Sequence, residues 1–215
     1  MIKKTHYVPN GDGWLLALKQ TYEPEALERT RRPVAIIPGY GMNAFIFGYH
    51  PRGKSMEVYW AEKGFEVWSL NLRAQGNSKH VSGRRQYGFY DAAVTDLGVA
   101  LDYILRNTEA EAERLDGVGC SLGGTYLYVN LACAQEKNLL GSVVAIGAPL
   151  EWVKVNPMLR SAFASSGVAG MLAIRGTRPL ARLALPVLTR VPKLLHLYLH
   201  PAIVDTSKMK EMIQT

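Results

Sequence analysis

The sequence predicts an α/β fold, a mostly parallel sheet with helices on both faces, followed by a separate helical element. Three observations predict it. Short apolar runs and amphipathic stretches alternate between residues 34 and 146 at the period of strand-helix-strand units. The first apolar run stops at Pro38-Gly39-Tyr40-Gly41 and the last at Gly147-Ala148-Pro149, both turn-forming. Between them, Gly119-Cys120-Ser121-Leu122-Gly123 stands where a strand must bend sharply into a helix.

Taken in order, residues 4–8 and 14–22 flank the turn cluster Asn10-Gly11-Asp12-Gly13 and read as a hairpin at the edge of the sheet. Val34-Ala35-Ile36-Ile37 is a short buried strand. A helix is expected from about Gly53 to Lys63, ended by Gly64, and leads to a second buried strand over Phe65 to Leu70. Residues 71–90 carry no apolar period and read as a long loop. Ala93, Leu97, Ala100, Leu101 and Ile104 repeat at helical spacing, so a helix opened by Asp91 should lay an apolar stripe on the sheet. Leu115 to Gly119 forms a third strand, Leu122 to about Glu136 a helix, and Ser142 to Ile146 a fourth strand. Beyond residue 150, Pro157, Pro179, Pro186, Pro192 and Pro201 interrupt Leu-, Ala- and Arg-rich stretches of helical character.

Composition narrows the classes. The 215 residues favour one domain with an appendage, and 48% apolar with 20% charged residues is the balance of a globular chain, which excludes disordered, collagen-like and coiled-coil proteins. Cys120 and Cys133 are too few for a disulfide framework and suit a reducing compartment. The longest apolar run, Gly167 to Ile174, is too short to span a membrane, and polar residues stand where a secretory signal would place its apolar core; a cytoplasmic location is expected. Residues 1–149 carry a net charge of +1 and residues 150–215 a net +6. A basic C-terminal third could meet an anionic membrane surface, nucleic acid or an acidic substrate, although a solvated helical face explains it as simply.

The Gly-x-Ser-x-Gly sequence carries the sharpest chemistry. Gly119 and Gly123 let strand and helix backbones approach while Ser121 occupies a strained bend at the helix N-terminus, where free N–H groups and the helix dipole favour developing negative charge. That suits acyl transfer. A tetrahedral oxyanion needs two convergent donors: the Leu122 N–H is one, and the Tyr40 N–H, in the turn after the first buried strand, is the candidate for the other. The plainer reading of Pro38-Gly39 is a strand terminator.

Pro38-Gly39-Tyr40-Gly41, Asn71-Leu72-Arg73-Ala74-Gln75-Gly76-Asn77-Ser78 and the Ser121 elbow, in this order and spacing, resemble the α/β-hydrolase superfamily, in particular its lipase-like and polyhydroxyalkanoate-synthase-like members. The resemblance covers about residues 12–150 and, more loosely, the helical remainder, with Pro38 where the family usually has His, Asn71 for Asp and Ala74 for Gly. The synthases carry a cysteine nucleophile, whereas here Ser121 takes the central position and Cys120 precedes it, which points to hydrolase chemistry. The resemblance implies a core over residues 1–149, a helical cap or lid over 150–215, and a serine hydrolase of carboxylic esters or related acyl compounds. The apolar and basic composition of the cap would favour a hydrophobic or anionic lipid-like substrate and peripheral membrane contact through the cap. No cofactor, metal or nucleic-acid partner is expected.

The family's acid and base should follow Ser121 on later loops. This chain offers only Glu136, Glu151, Asp205 and Glu211 as acids there, and His196 and His200, which precede Asp205, as bases. The chain is therefore expected to be the N-terminal half of a longer hydrolase, with the triad acid and base absent and activity uncertain. The competing class is a non-catalytic hydrolase-like binding module. His196 and His200 stand four apart, a zinc-compatible spacing without a third ligand. Gly117-Val118-Gly119 approaches a dinucleotide fingerprint without its spacing, and Tyr126, Tyr128 and Trp152 read as core or pocket wall.

Overall fold

A computed structural model describes residues 1–134 and 137–150. The hairpin forms as expected: β1 (Ile2–Pro9) and β2 (Trp14–Tyr22) run antiparallel, Ile2 opposite Tyr22 and Pro9 opposite Leu15. Asn10 closes it, its side-chain oxygen accepting the backbone N–H groups of Asp12 and Trp14 at 2.8 and 3.1 Å. The buried strands are β3 (Val34–Ile37) and β4 (Val67–Asn71), then β6 (Leu115–Cys120) and β7 (Leu140–Ile146). With the two-residue β5 (Lys79–His80) beside β2, they make a seven-stranded sheet in the order β1-β2-β4-β3-β6-β7. The pairs β4–β3, β3–β6 and β6–β7 are parallel, and those involving β2 antiparallel. β5 lies inside the stretch expected to be loop; two residues are too few to leave a period in the sequence.

Alternation along the central strands sends side chains to both faces. Ala35, Ile37, Trp68 and Leu70 join Leu16 and Leu18 in a core covered by α3 (Leu97–Asn107) and α4 (Leu122–Ala134). Val34, Ile36, Val67 and Val118 meet Phe47 of the short α1 (Phe45–Gly48) and Met56 and Trp60 of α2 (Met56–Glu62) on the other face. Ser55 caps α2 by accepting the Val58 N–H at 3.3 Å, which starts this helix later than the glycine-bounded stretch suggested. Gly64, at φ +88°, turns the chain after it.

The helix expected to open regularly at Asp91 instead begins with a π turn over Asp91–Asp96 before α3. Within that wide turn Asp96 is fully buried and grips Arg73, a buried partner that helical spacing could not disclose. Residues 135–136 and 151–215 lie outside the described residues, and with them the expected helical cap, Glu136, Glu151, Trp152, His196, His200, Asp205 and Glu211.

Candidate active site

Parallel strands deliver their following loops to one end of the sheet, and there the singled-out residues of the core meet. Ile37, the last residue of β3, pairs with Gly119 of β6, so the turn after β3 lies beside the β6–α4 bend. Ser121 sits in that bend at φ +51°; among the described residues only Ala74 is another non-glycine at positive φ. An L-residue rarely adopts this conformation, and it is kept only where its surroundings impose it. Here the Ser121 N–H donates to Ile146 O of β7 at 2.8 Å, while the Ser121 carbonyl accepts the Gly124 N–H at 3.0 Å and begins α4.

The flanking glycines answer to space. A Cβ on Gly119 would come within 2.4 Å of Gly124, and one on Gly123 within 2.3 Å of Ile37 O. Strand β6, helix α4 and the end of β3 thus touch backbone to backbone, which fixes where Ser121 stands. Gly117 serves packing as well: a Cβ there would strike Leu127 at 2.8 Å, and the Gly117-Val118-Gly119 run lies within β6 rather than in a nucleotide-binding loop.

The turn after β3 closes on the same point. A Cβ on Gly39 would lie 3.0 Å from both Cys120 O and the Ser121 Cβ. Tyr40 is exposed while Leu122 and Ser121 are half-buried. Among the described residues neither the Tyr40 nor the Leu122 N–H has an acceptor, and the Ser121 hydroxyl has no hydrogen-bond partner. Two features missed in the sequence support this turn. Asn71, where the resemblance leads one to expect Asp, accepts the Ala44 N–H at 2.8 Å and anchors the far end of the 38–44 segment. Gln75 accepts the Leu72 N–H at 3.0 Å and reaches Gly39 O at 3.5 Å.

Beneath them lies a buried ion pair. Arg73 donates to both Asp96 carboxylate oxygens at 2.8 and 2.7 Å and to Asp12 at 2.7 Å, and Asn10 donates to Asp96 at 2.7 Å. These carboxylates raise the Arg73 pKa against the opposing effect of burial. One signal was available: Asp96 falls between Ala93 and Ala100 on the apolar stripe, where an acid has to be paired.

Aromatic groups wall the region as expected for Tyr126, which is buried with its ring 5.0 Å from that of Phe89. Burial, then the neighbouring Tyr87 and Tyr40, push the Tyr126 hydroxyl up to about 12. Tyr128 is exposed. The described histidines lie elsewhere: His6 bonds Tyr103 and Gln20, His50 takes the Arg52 N–H, and His80 pairs with Gly83 O. None bonds Ser121. Among the described residues no group of three or more His, Cys, Asp or Glu could hold a metal, and no helix is long and apolar enough to cross a membrane.

No protein-family model matches this sequence, and no curated protein matches it. Its structure is similar to a laboratory-evolved variant of potato epoxide hydrolase (14% identity, TM-score 0.55, 76% of this chain and 46% of that one). It is similar too to an esterase of Pyrococcus furiosus (18% identity, TM-score 0.55, 76% and 58%) and to the thioesterase domain from the curacin biosynthetic pathway (16%, 0.51, 76% and 52%). The chain spans about half the length of these three proteins. The described residues have the α/β-hydrolase fold.

Proposed function

We propose that the protein is a serine hydrolase of carboxylic esters or related acyl substrates, with Ser121 as nucleophile and the Leu122 and Tyr40 N–H groups as the oxyanion hole. The observation that carries this reading is Ser121 at φ +51°, its hydroxyl without a partner among the described residues, at the N-terminus of α4 and against the 38–41 turn. Such a bend is strained for a serine, and strain of roughly 1–3 kcal/mol persists where function requires it. Attack of the Ser121 oxygen on an acyl carbon would put negative charge on the carbonyl oxygen, which the Leu122 and Tyr40 N–H groups, without acceptors among the described residues, would stabilise. A base still has to take the hydroxyl proton. In this reading residues 1–149 are the catalytic core, 150–215 a helical cap or lid, and the protein works in the cytoplasm on a small acyl or lipid-like molecule.

The absence of any described histidine or carboxylate bonded to Ser121 favours a second reading, a hydrolase-like module that binds without catalysis. A fluorophosphonate probe tests the first. Labelling of the full chain that disappears in Ser121→Ala would support the serine nucleophile; a folded chain that takes up no label would leave either the module or a hydrolase whose acid and base are not supplied within these residues.

A further inference from the structure

We propose that the α2-covered face of the sheet holds a buried water site built from Lys19, Thr21, Glu57 and Ser69. The strand register sets three of these residues side by side. On β4, Val67 belongs to the core under α2, so Ser69, two residues on, faces the same way. In the antiparallel pairing of β2 with β4, Lys19 lies opposite Ser69 and Thr21 opposite Val67, which brings both to that face. Helix α2 packs on β2 and β4 and supplies Glu57, one of whose carboxylate oxygens accepts from the Lys19 ammonium at 2.5 Å. The end of α1 roofs this pair: a Cβ on Gly48 would lie 2.8 Å from Lys19 Nζ and 2.9 and 3.0 Å from the two Glu57 oxygens.

Thr21, Glu57 and Ser69 are all fully buried. Among the described residues four buried side-chain atoms have no hydrogen-bond partner, and three of them are Thr21 Oγ1, Ser69 Oγ and Glu57 Oε1, the carboxylate oxygen not taken by Lys19. The fourth, Trp14 Nε1, belongs to the core on the opposite face. A buried polar atom without a partner costs more than the bond it forgoes, so three on one face point to a ligand. The donor set selects which. Each hydroxyl offers one donor and acceptor sites, the carboxylate oxygen only accepts, and a water molecule, which both donates and accepts, answers all three. Lys19 already neutralises the Glu57 charge, so a metal cation or an anion gains little here, whereas a neutral ligand meets no opposing charge. Ser69 and Thr21 stand on a diagonal between neighbouring strands, roughly 7–8 Å backbone to backbone, a span that bridging water covers.

The site does not depend on Ser121 being a nucleophile. The test is a crystal structure of the full chain at a resolution that shows ordered water, together with thermal melts of two variants. Water is expected within about 3.2 Å of both Ser69 Oγ and Glu57 Oε1. Thr21→Val keeps the branched shape and suits a strand, so removal of an unpaired hydroxyl would raise the melting temperature. With water in the site, Thr21→Val should instead lower it by about 3 °C, and Ser69→Ala by about as much. The double variant should fall by less than the sum of the two, because both hydroxyls hold the same water. A melting temperature that is raised or unchanged in either single variant, full additivity in the double variant, hydroxyls bonded directly to protein groups in the crystal, or ligand distances of about 2.3 Å that mark a metal cation would each overturn the proposal.

Discussion

Ser121 and Ala74 hold the same backbone conformation for different reasons. Ala74, at φ +60° on an exposed turn, stands where the resemblance leads one to expect glycine. Its methyl group makes the left-handed conformation costly, and nothing in the proposed chemistry uses it. Ala74→Gly should therefore raise the unfolding free energy by about 1 kcal/mol in urea titration and leave probe labelling unchanged. Ser121→Gly should give a similar gain while abolishing labelling. A loss of stability in both variants would mean that neither residue is strained. Gly123 is the opposite case: with Ile37 O only 2.3 Å from where a Cβ would sit, any side chain there pushes α4 off the end of β3.

Between elements, the buried pair of Arg73 and Asp96 ties the 71–78 loop to the π turn and, through Asn10 and Asp12, to the β1–β2 hairpin. Both side chains are fully buried, so removing one leaves the other's charge without a partner. Asp96→Ala should cost about 3–5 kcal/mol in chemical denaturation, far more than removing an exposed pair such as Arg106–Asp102. The elements were largely legible because their signals are local: apolar runs bounded by Pro and Gly for β3, β4, β6 and β7, and a 3.6-residue period for α3. The π turn, β5 and the exact start of α2 were not, since a buried ion pair, a strand pairing and a serine cap decided them.

For the whole molecule, stability should depend on pH through the tyrosines near the site. The Tyr126 hydroxyl is pushed up to about 12 from an ordinary 10.0 by burial first and by Tyr87 and Tyr40 next. The folded state thus holds its proton more tightly than the unfolded chain does. The stabilisation is complete below pH 10 and is lost as pH rises toward 12. Thermal melts across that range should show a falling melting temperature, and Tyr126→Phe should flatten part of the fall. An unaltered profile would mean that the ring is not buried. At this scale the sheet has β7 as an edge among the described residues, with Val144 and Ile146 half-exposed.

The sequence by itself determined the α/β class, the hairpin, the order of the strands along the chain and the elbow at Ser121. Each of these is written in neighbouring residues, as an apolar run, a turn cluster or a small-x-Ser-x-small bend. Only the tertiary structure decided that β4 lies between β2 and β3, that the 38–41 turn closes on Ser121, and that Asn71, through Ala44, and Gln75, through Gly39 O, support this turn while Asp96 holds Arg73. These are contacts between residues tens of positions apart, whose partners are chosen by packing and by the need to pair every buried charge, and no local pattern encodes that choice.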